Sequence, residues 1–220
     1  MMEPVRIAAF DLDDTAVACN SQALFIRFLK ERRLAPPSLL MEVGFWVALS
    51  RLGCPLPVPT IHARVISRFS GISRDALENA LREFSEGPLR ALVRADAQHW
   101  MSRARGEGCH VVLLSAALEP MVAPIARFMG VDGYIATRAR VEPSGRISVD
   151  GDLIYGQAKV RALREYADGR FASWRLEYAF GDAYDDRFLL GEAVNAVAVG
   201  PEPRLRALAE RRGWVREEWR

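Results

Sequence analysis

Four short apolar runs are spread along the chain, at residues 5–10, 109–114, 176–180 and 195–199. Runs of this length suit strands buried on both faces of a parallel sheet. Between and after them lie helix-length periodic segments at 119–129, 157–167 and 201–212. Each ends at or near a glycine in the usual stop position: Gly130, Gly169 and Gly213. The alternation predicts an α/β fold with a doubly wound parallel sheet. From residue 19 to 87 the alternation lapses. That stretch reads as helices at 21–33, 39–52, 60–69 and 74–84, separated by proline and glycine, with Leu77, Leu81 and Phe84 on one face of the last and Ser73 as its N-cap. The expected organisation is a helical cap domain at 19–87, inserted after the first strand into a core domain made of 1–18 and 88–220. The chain returns through a helix expected at 88–105. Residues 136–150 alternate around Pro143-Ser144-Gly145 and predict a small β-hairpin.

Composition narrows the picture. The 220 residues, half of them hydrophobic, suit one domain or one domain with a sizeable insertion. With 30 basic and 28 acidic residues, scattered rather than clustered, the chain has no electrostatic case for nucleic acid or an anionic membrane. Three cysteines, Cys19, Cys54 and Cys109, lack CxxC or Cys/His spacing, which excludes a disulfide framework and a zinc site and suits a reducing compartment. The apolar start is interrupted by Asp11, Asp13 and Asp14, unlike a signal peptide, so a cytoplasmic location is expected. Residues 38–50 carry Glu42 as their only charge but fall short of the roughly 20 residues needed to span a bilayer. The apolar stretch 39–47 within them either forms cap core or lines a pocket for a hydrophobic alcohol, such as a lipid or isoprenoid phosphate.

The chemistry-bearing residues follow the strands. Asp11-Leu12-Asp13-Asp14-Thr15 comes directly after the first run, at the carboxyl end of a parallel strand, where open α/β sheets bind ligands. A calcium loop would need glycine sixth and glutamate twelfth, where Ala16 and Gln22 stand. Ser115 ends the second run, Lys159 lies early in the helix after Gly156, and Gly181-Asp182-Ala183-Tyr184-Asp185-Asp186 ends the third. The set converges on one sheet edge. His62, His99 and His110 do not neighbour a candidate nucleophile, which excludes Ser/His/Asp and Cys/His catalysis.

This combination, above all DxDxT and GDxxxD, resembles the haloacid-dehalogenase superfamily, in order and spacing its phosphoserine-phosphatase-like branch, over nearly the whole chain. The resemblance implies Asp11 as nucleophile toward phosphorus, Asp13 as general acid and base, and Ser115 and Lys159 as holders of the phosphoryl oxygens. It implies Mg²⁺ held by the Asp11 side chain, the Asp13 carbonyl and Asp182, with Asp186 in the outer shell and Asp185 either there or facing solvent. Thr15 would steady the loop, and Thr15, Asn20 and Arg64 are candidate substrate contacts. Asn20 stands where phosphoserine-specific relatives carry a glutamate, which weakens phosphoserine as substrate. Arg64 either binds an anionic tail or is a solvated helical arginine. The residue types suit the chemistry on their own terms. A carboxylate attacks a phosphate dianion only when a divalent cation and an ammonium neutralise the charge, and a covalent intermediate splits one hard displacement into two easier ones. The expected function is Mg²⁺-dependent hydrolysis of a small phosphorylated metabolite through an aspartyl-phosphate. Transfer to another acceptor, or phosphate-ligand binding without catalysis, are the alternatives.

Overall fold

The computed structural model of the chain describes residues 3–51, 57–144 and 146–219. Cys54, Gly145 and the last residue of the helix expected at 39–52 lie outside them. Strand β1 (Val5–Asp11) is followed by four helices, α1 (Ser21–Glu31), α2 (Pro37–Arg51), α3 (Val58–Arg68) and α4 (Arg74–Phe84), before α5 (Ala95–Gly106) leads into β2 (Cys109–Leu118). Then come α6 (Glu119–Met129), β3 (Gly133–Val141), β4 (Ile147–Asp150), α7 (Gln157–Asp168) and β5 (Trp174–Gly181). The chain finishes with α8 (Arg187–Leu190), β6 (Asn195–Val199), α9 (Pro203–Arg212) and β7 (Val215–Glu217). The sheet order is β4-β3-β2-β1-β5-β6-β7, parallel throughout except for the antiparallel β3–β4 pair.

Strand β1 sits at the centre because both of its faces are apolar. Ala8 and Phe10 pack with Val111 and Leu113 of β2 against α5, α6 and the inserted helices. Ile7 and Ala9 pack with Val112 and Leu114 against α7, α8 and α9. Phe10 stacks on Phe180 of β5 with ring centroids 4.1 Å apart. Fully burying a side chain of this size contributes about 1.5–3 kcal/mol, so the strand that carries Asp11 is held firmly on both sides.

Three differences from the sequence reading have physical causes. The helix expected at 88–105 is interrupted: helical turns over 85–92 stop at Leu92 and α5 starts only at Ala95, because Val93, Arg94 and the Leu92 carbonyl are drawn into pairing with the chain that leads into the insertion. The Ala18 amide donates to the Leu92 carbonyl (2.8 Å), the Arg94 amide to Ala16 (3.0 Å), and Val17 and Val93 form an antiparallel bridge. The incoming and outgoing segments of the insertion thus satisfy each other's backbone. Strand β3 extends beyond the expected hairpin, pairing in parallel with β2 through Gly133–Thr137 before turning to β4. The three-residue β7, too short to leave a periodic signal, pairs with β6. Helix α2 divides the apolar stretch: Leu39 is fully buried, whereas Met41 and Phe45 are 75% and 56% exposed. Among the described residues no helix is long and apolar enough to cross a membrane.

Candidate active site

Register brings the chemistry-bearing residues together. Asp11 pairs with Leu114, so Ser115 is the next residue of β2, and Phe10 pairs with Phe180, so Gly181 and Asp182 follow at the end of β5. On three adjacent strands, Asp11 therefore ends β1, Asp182 directly follows β5, and Ser115 lies level with them within β2, three residues before that strand ends. Lys159 reaches the same point from the first turn of α7, which begins after Gly156 at φ 54°, a conformation that side-chain-bearing residues rarely adopt. Its ammonium donates to the Asp11 carboxylate and to Asp186 Oδ1 (2.6 Å). Asp186 is buried, and its other oxygen accepts the Ala183 amide (3.1 Å). Gly181 has to be glycine, since a Cβ there would lie 2.6 Å from the Asp186 Cβ.

The loop after β1 holds its second carboxylate by backbone. Asp13 Oδ1 accepts the amide of Ser21 at the start of α1 (2.5 Å), and Asp14 adopts φ 52° to turn the chain. Thr15 is fully buried and donates its hydroxyl to Asp182 Oδ1 (3.1 Å), joining the first loop to the end of β5. Ser115 is also fully buried, and its hydroxyl oxygen accepts the Ala117 amide (3.0 Å).

The charges are out of balance. Carboxylate oxygens of Asp11, Asp182 and Asp186 lie within 4.8 Å of one another, with the Lys159 ammonium among them. Burial, opposed by Lys159 and reinforced by the neighbouring carboxylates, pushes Asp11 well above the ordinary carboxylate range. Burial and then Asp186 push Asp182 up to about 7. Asp13 is raised by burial against the hydrogen bonds from Ser21. Burial would lower Lys159, but Asp11 and Asp186 outweigh it and hold the ammonium protonated. Fully ionised, the three carboxylates against one ammonium would leave an excess of two negative charges, and the donors are hard oxygens. That set fits one divalent cation such as Mg²⁺.

Other candidates fall elsewhere. The Asn20 side chain caps α1 by accepting the Ala23 amide (2.9 Å). Arg64 is largely exposed and faces Glu42 at 3.6 Å, which also pairs with Arg68 (3.0 Å). Asp185 accepts hydrogen bonds from the Tyr155 hydroxyl (2.7 Å) and Arg187 Nη1 (2.9 Å). Sequence reading missed a bridge between the insertion and the core. Gln22 Nε2 lies 3.5 Å from His62 Nδ1, and the His62 ring meets Tyr155 edge-on at 6.2 Å. No periodicity marks these residues, because they meet only through packing.

The chain belongs to the haloacid dehalogenase-like hydrolase family, whose pattern it matches over residues 8–190. It is similar to a Mycobacterium tuberculosis protein named as a probable phosphatase, at 27% identity over 212 residues, spanning 94% of this chain and 73% of that one. Among solved structures, a Bordetella pertussis Tohama I protein of unknown function superposes with a TM-score of 0.85 at 23% identity, covering 98% of this chain and 99% of that one. A phosphoserine phosphatase solved as its phospho-aspartyl intermediate analogue superposes with a TM-score of 0.67 at 19% identity, covering 98% and 94%. These two likenesses concern the fold.

Proposed function

We propose that the chain is a Mg²⁺-dependent phosphomonoesterase that hydrolyses a small organic phosphate through an aspartyl-phosphate on Asp11. The observation that carries this reading is the buried Asp11 carboxylate at the end of the central strand, held by Lys159, with Asp182 and Asp186 within 4.8 Å and Asp13 two residues on. Asp11, Asp182 and the Asp13 carbonyl would hold the cation, with Asp186 adjoining through Lys159. When bound, Mg²⁺ supplies the positive charge that lets a carboxylate approach a phosphate dianion.

An Asp11 oxygen attacks phosphorus and the ester P–O bond breaks. The proton on Asp13, whose carboxyl is raised by burial, passes to the departing alcohol oxygen. Asp13, now ionised, takes a proton from water as that water attacks phosphorus. The P–O bond to Asp11 then breaks, releasing inorganic phosphate and restoring the carboxylate. Ser115 and Lys159 hold the phosphoryl oxygens through both steps. Residues 19–87 act as a cap domain over the site. Phosphoserine is disfavoured as substrate because Asn20 is neutral and engaged in capping α1, and Arg64 faces Glu42.

The test is release of inorganic phosphate from p-nitrophenyl phosphate with and without Mg²⁺. Turnover is expected only with the cation, is abolished by Asp11→Asn, and is blocked by beryllium fluoride. Asp13→Asn is expected to lower kcat by about 10²–10⁴. Phosphate that appears on an added alcohol rather than in solution would assign the transferase alternative. Absence of turnover across a broad ester panel, with phosphate binding unaffected by Asp11→Asn, would assign the binding protein.

A further inference from the structure

Ser21 opens α1 directly beside the first loop. Its amide donates to Asp13 Oδ1 (2.5 Å), and its side chain is fully buried. Among the described residues no group meets its hydroxyl with hydrogen-bond geometry, although the hydroxyl lies close enough to the Asp13 carboxyl to oppose the effect of burial on it. Capping does not account for this serine. Asn20 already caps α1, its side chain accepting the Ala23 amide (2.9 Å). Stability does not account for it either, since a buried hydroxyl without a partner costs about 1–3 kcal/mol and alanine is the better helix former. Ser21 holds a position that alanine would fill at lower cost to the fold.

The Asp13 carboxyl has two tasks in the proposed reaction, first giving a proton to the departing alcohol oxygen and then taking one from water. Both need the proton on a defined oxygen. With Oδ1 accepting the Ser21 amide, the carboxyl keeps its proton on Oδ2. Once that proton has gone, a buried carboxylate gains from a further donor. The Ser21 hydroxyl is at hand. Its hydrogen rotates about the C–O bond, and it has no other acceptor to leave. A hydrogen bond formed only as the proton departs favours the transition state over the bound ester.

Resting on the phosphatase reading, we infer that Ser21 is the positioning residue for Asp13: its amide fixes Oδ1, and its hydroxyl turns onto the carboxylate as the proton passes to the departing alcohol. The serine acts on the reaction only through Asp13.

The test compares kcat/KM of the full chain with Mg²⁺ on phenyl phosphate and p-nitrophenyl phosphate, two esters of similar shape. Phenolate is the poorer leaving group and depends more on receiving a proton. In Ser21→Ala, kcat/KM on phenyl phosphate is expected to fall about 10–100-fold, as for loss of a hydrogen bond to a charged group, and on p-nitrophenyl phosphate by much less. The ratio of the two is independent of how much of the variant is folded. Ser21→Thr keeps the hydroxyl and is expected to restore the native ratio. In an Asp13→Asn background, Ser21→Ala is expected to leave the ratio unchanged. Equal losses on the two esters, no loss on either, or a ratio that still shifts without the Asp13 carboxyl would overturn the role of Ser21 and leave the phosphatase reading standing. Release of phosphate from neither ester by the native chain would overturn both.

Discussion

Lys159 donates to two buried carboxylates that are separated from it in sequence by 148 and 27 positions, and it draws their charge into one cluster. Removing one partner of a buried ion pair strands the others and typically costs about 3–5 kcal/mol. Lys159→Ala is therefore expected to destabilise the metal-free chain by about that much, and by less with Mg²⁺ present, in urea unfolding read with and without the cation. A loss below about 1 kcal/mol would mean that water already screens the carboxylates. Gly181→Ala is expected to cost about 1–3 kcal/mol, the usual range for overpacking. Its new methyl must displace Asp186, so the same variant should also lose phosphatase activity, whereas retained activity at full stability would show that the close approach relaxes freely.

At the scale of elements, α2 illustrates why a run of apolar letters is ambiguous. The stretch 39–47 has too few polar positions to mark a face, so periodicity could not separate core from surface. In the fold Leu39 is the residue that turns inward, while Met41 and Phe45 face outward and Glu42 is committed to Arg64, Arg68 and Trp46. Leu39→Ala is expected to cost about 2–5 kcal/mol through the cavity it leaves. Met41→Glu should stay within about 0.5 kcal/mol. Equal losses for the two, measured by thermal or urea unfolding, would contradict this division. The same helix shows what was legible. Its existence and approximate span follow from composition between Pro37 and the next proline, but the direction of each side chain does not.

Across the whole molecule the site is a store of unfavourable charge that a divalent cation would relieve, and this gives stability a definite pH dependence. Asp182, with an ordinary value of 3.8, is pushed up to about 7 by burial and then by Asp186. Between those values the folded chain keeps a proton that the unfolded chain has released, so the contribution of this group to stability falls as pH rises. Asp11 and Asp13 are shifted in the same direction. Without metal, the melting temperature is expected to decline from about pH 4 to about pH 7, and Asp182→Asn to flatten that slope. Mg²⁺ would bind the ionised form, so on the proposed function it is expected to raise stability most near neutrality. A slope unchanged by Asp182→Asn would remove Asp182 as its source. The alternation of strands and helices, the place of the helical insertion, and the order of DxDxT, Ser115, Lys159 and GDxxxD are all readable in the order of residues, because periodicity, stop residues and strand-end position are local properties. The packing of distant segments is what makes Asp186 meet Lys159, Thr15 brace Asp182, Asn20 cap a helix, and Val93 and Arg94 join the insertion's two linkers instead of continuing a helix. Those outcomes depend on strand register and on which backbone and side-chain groups find partners once distant segments pack, and nothing in the spacing of letters encodes them. Asp11 was legible as a carboxylate at a strand end; its burial among three neighbours and one ammonium was not.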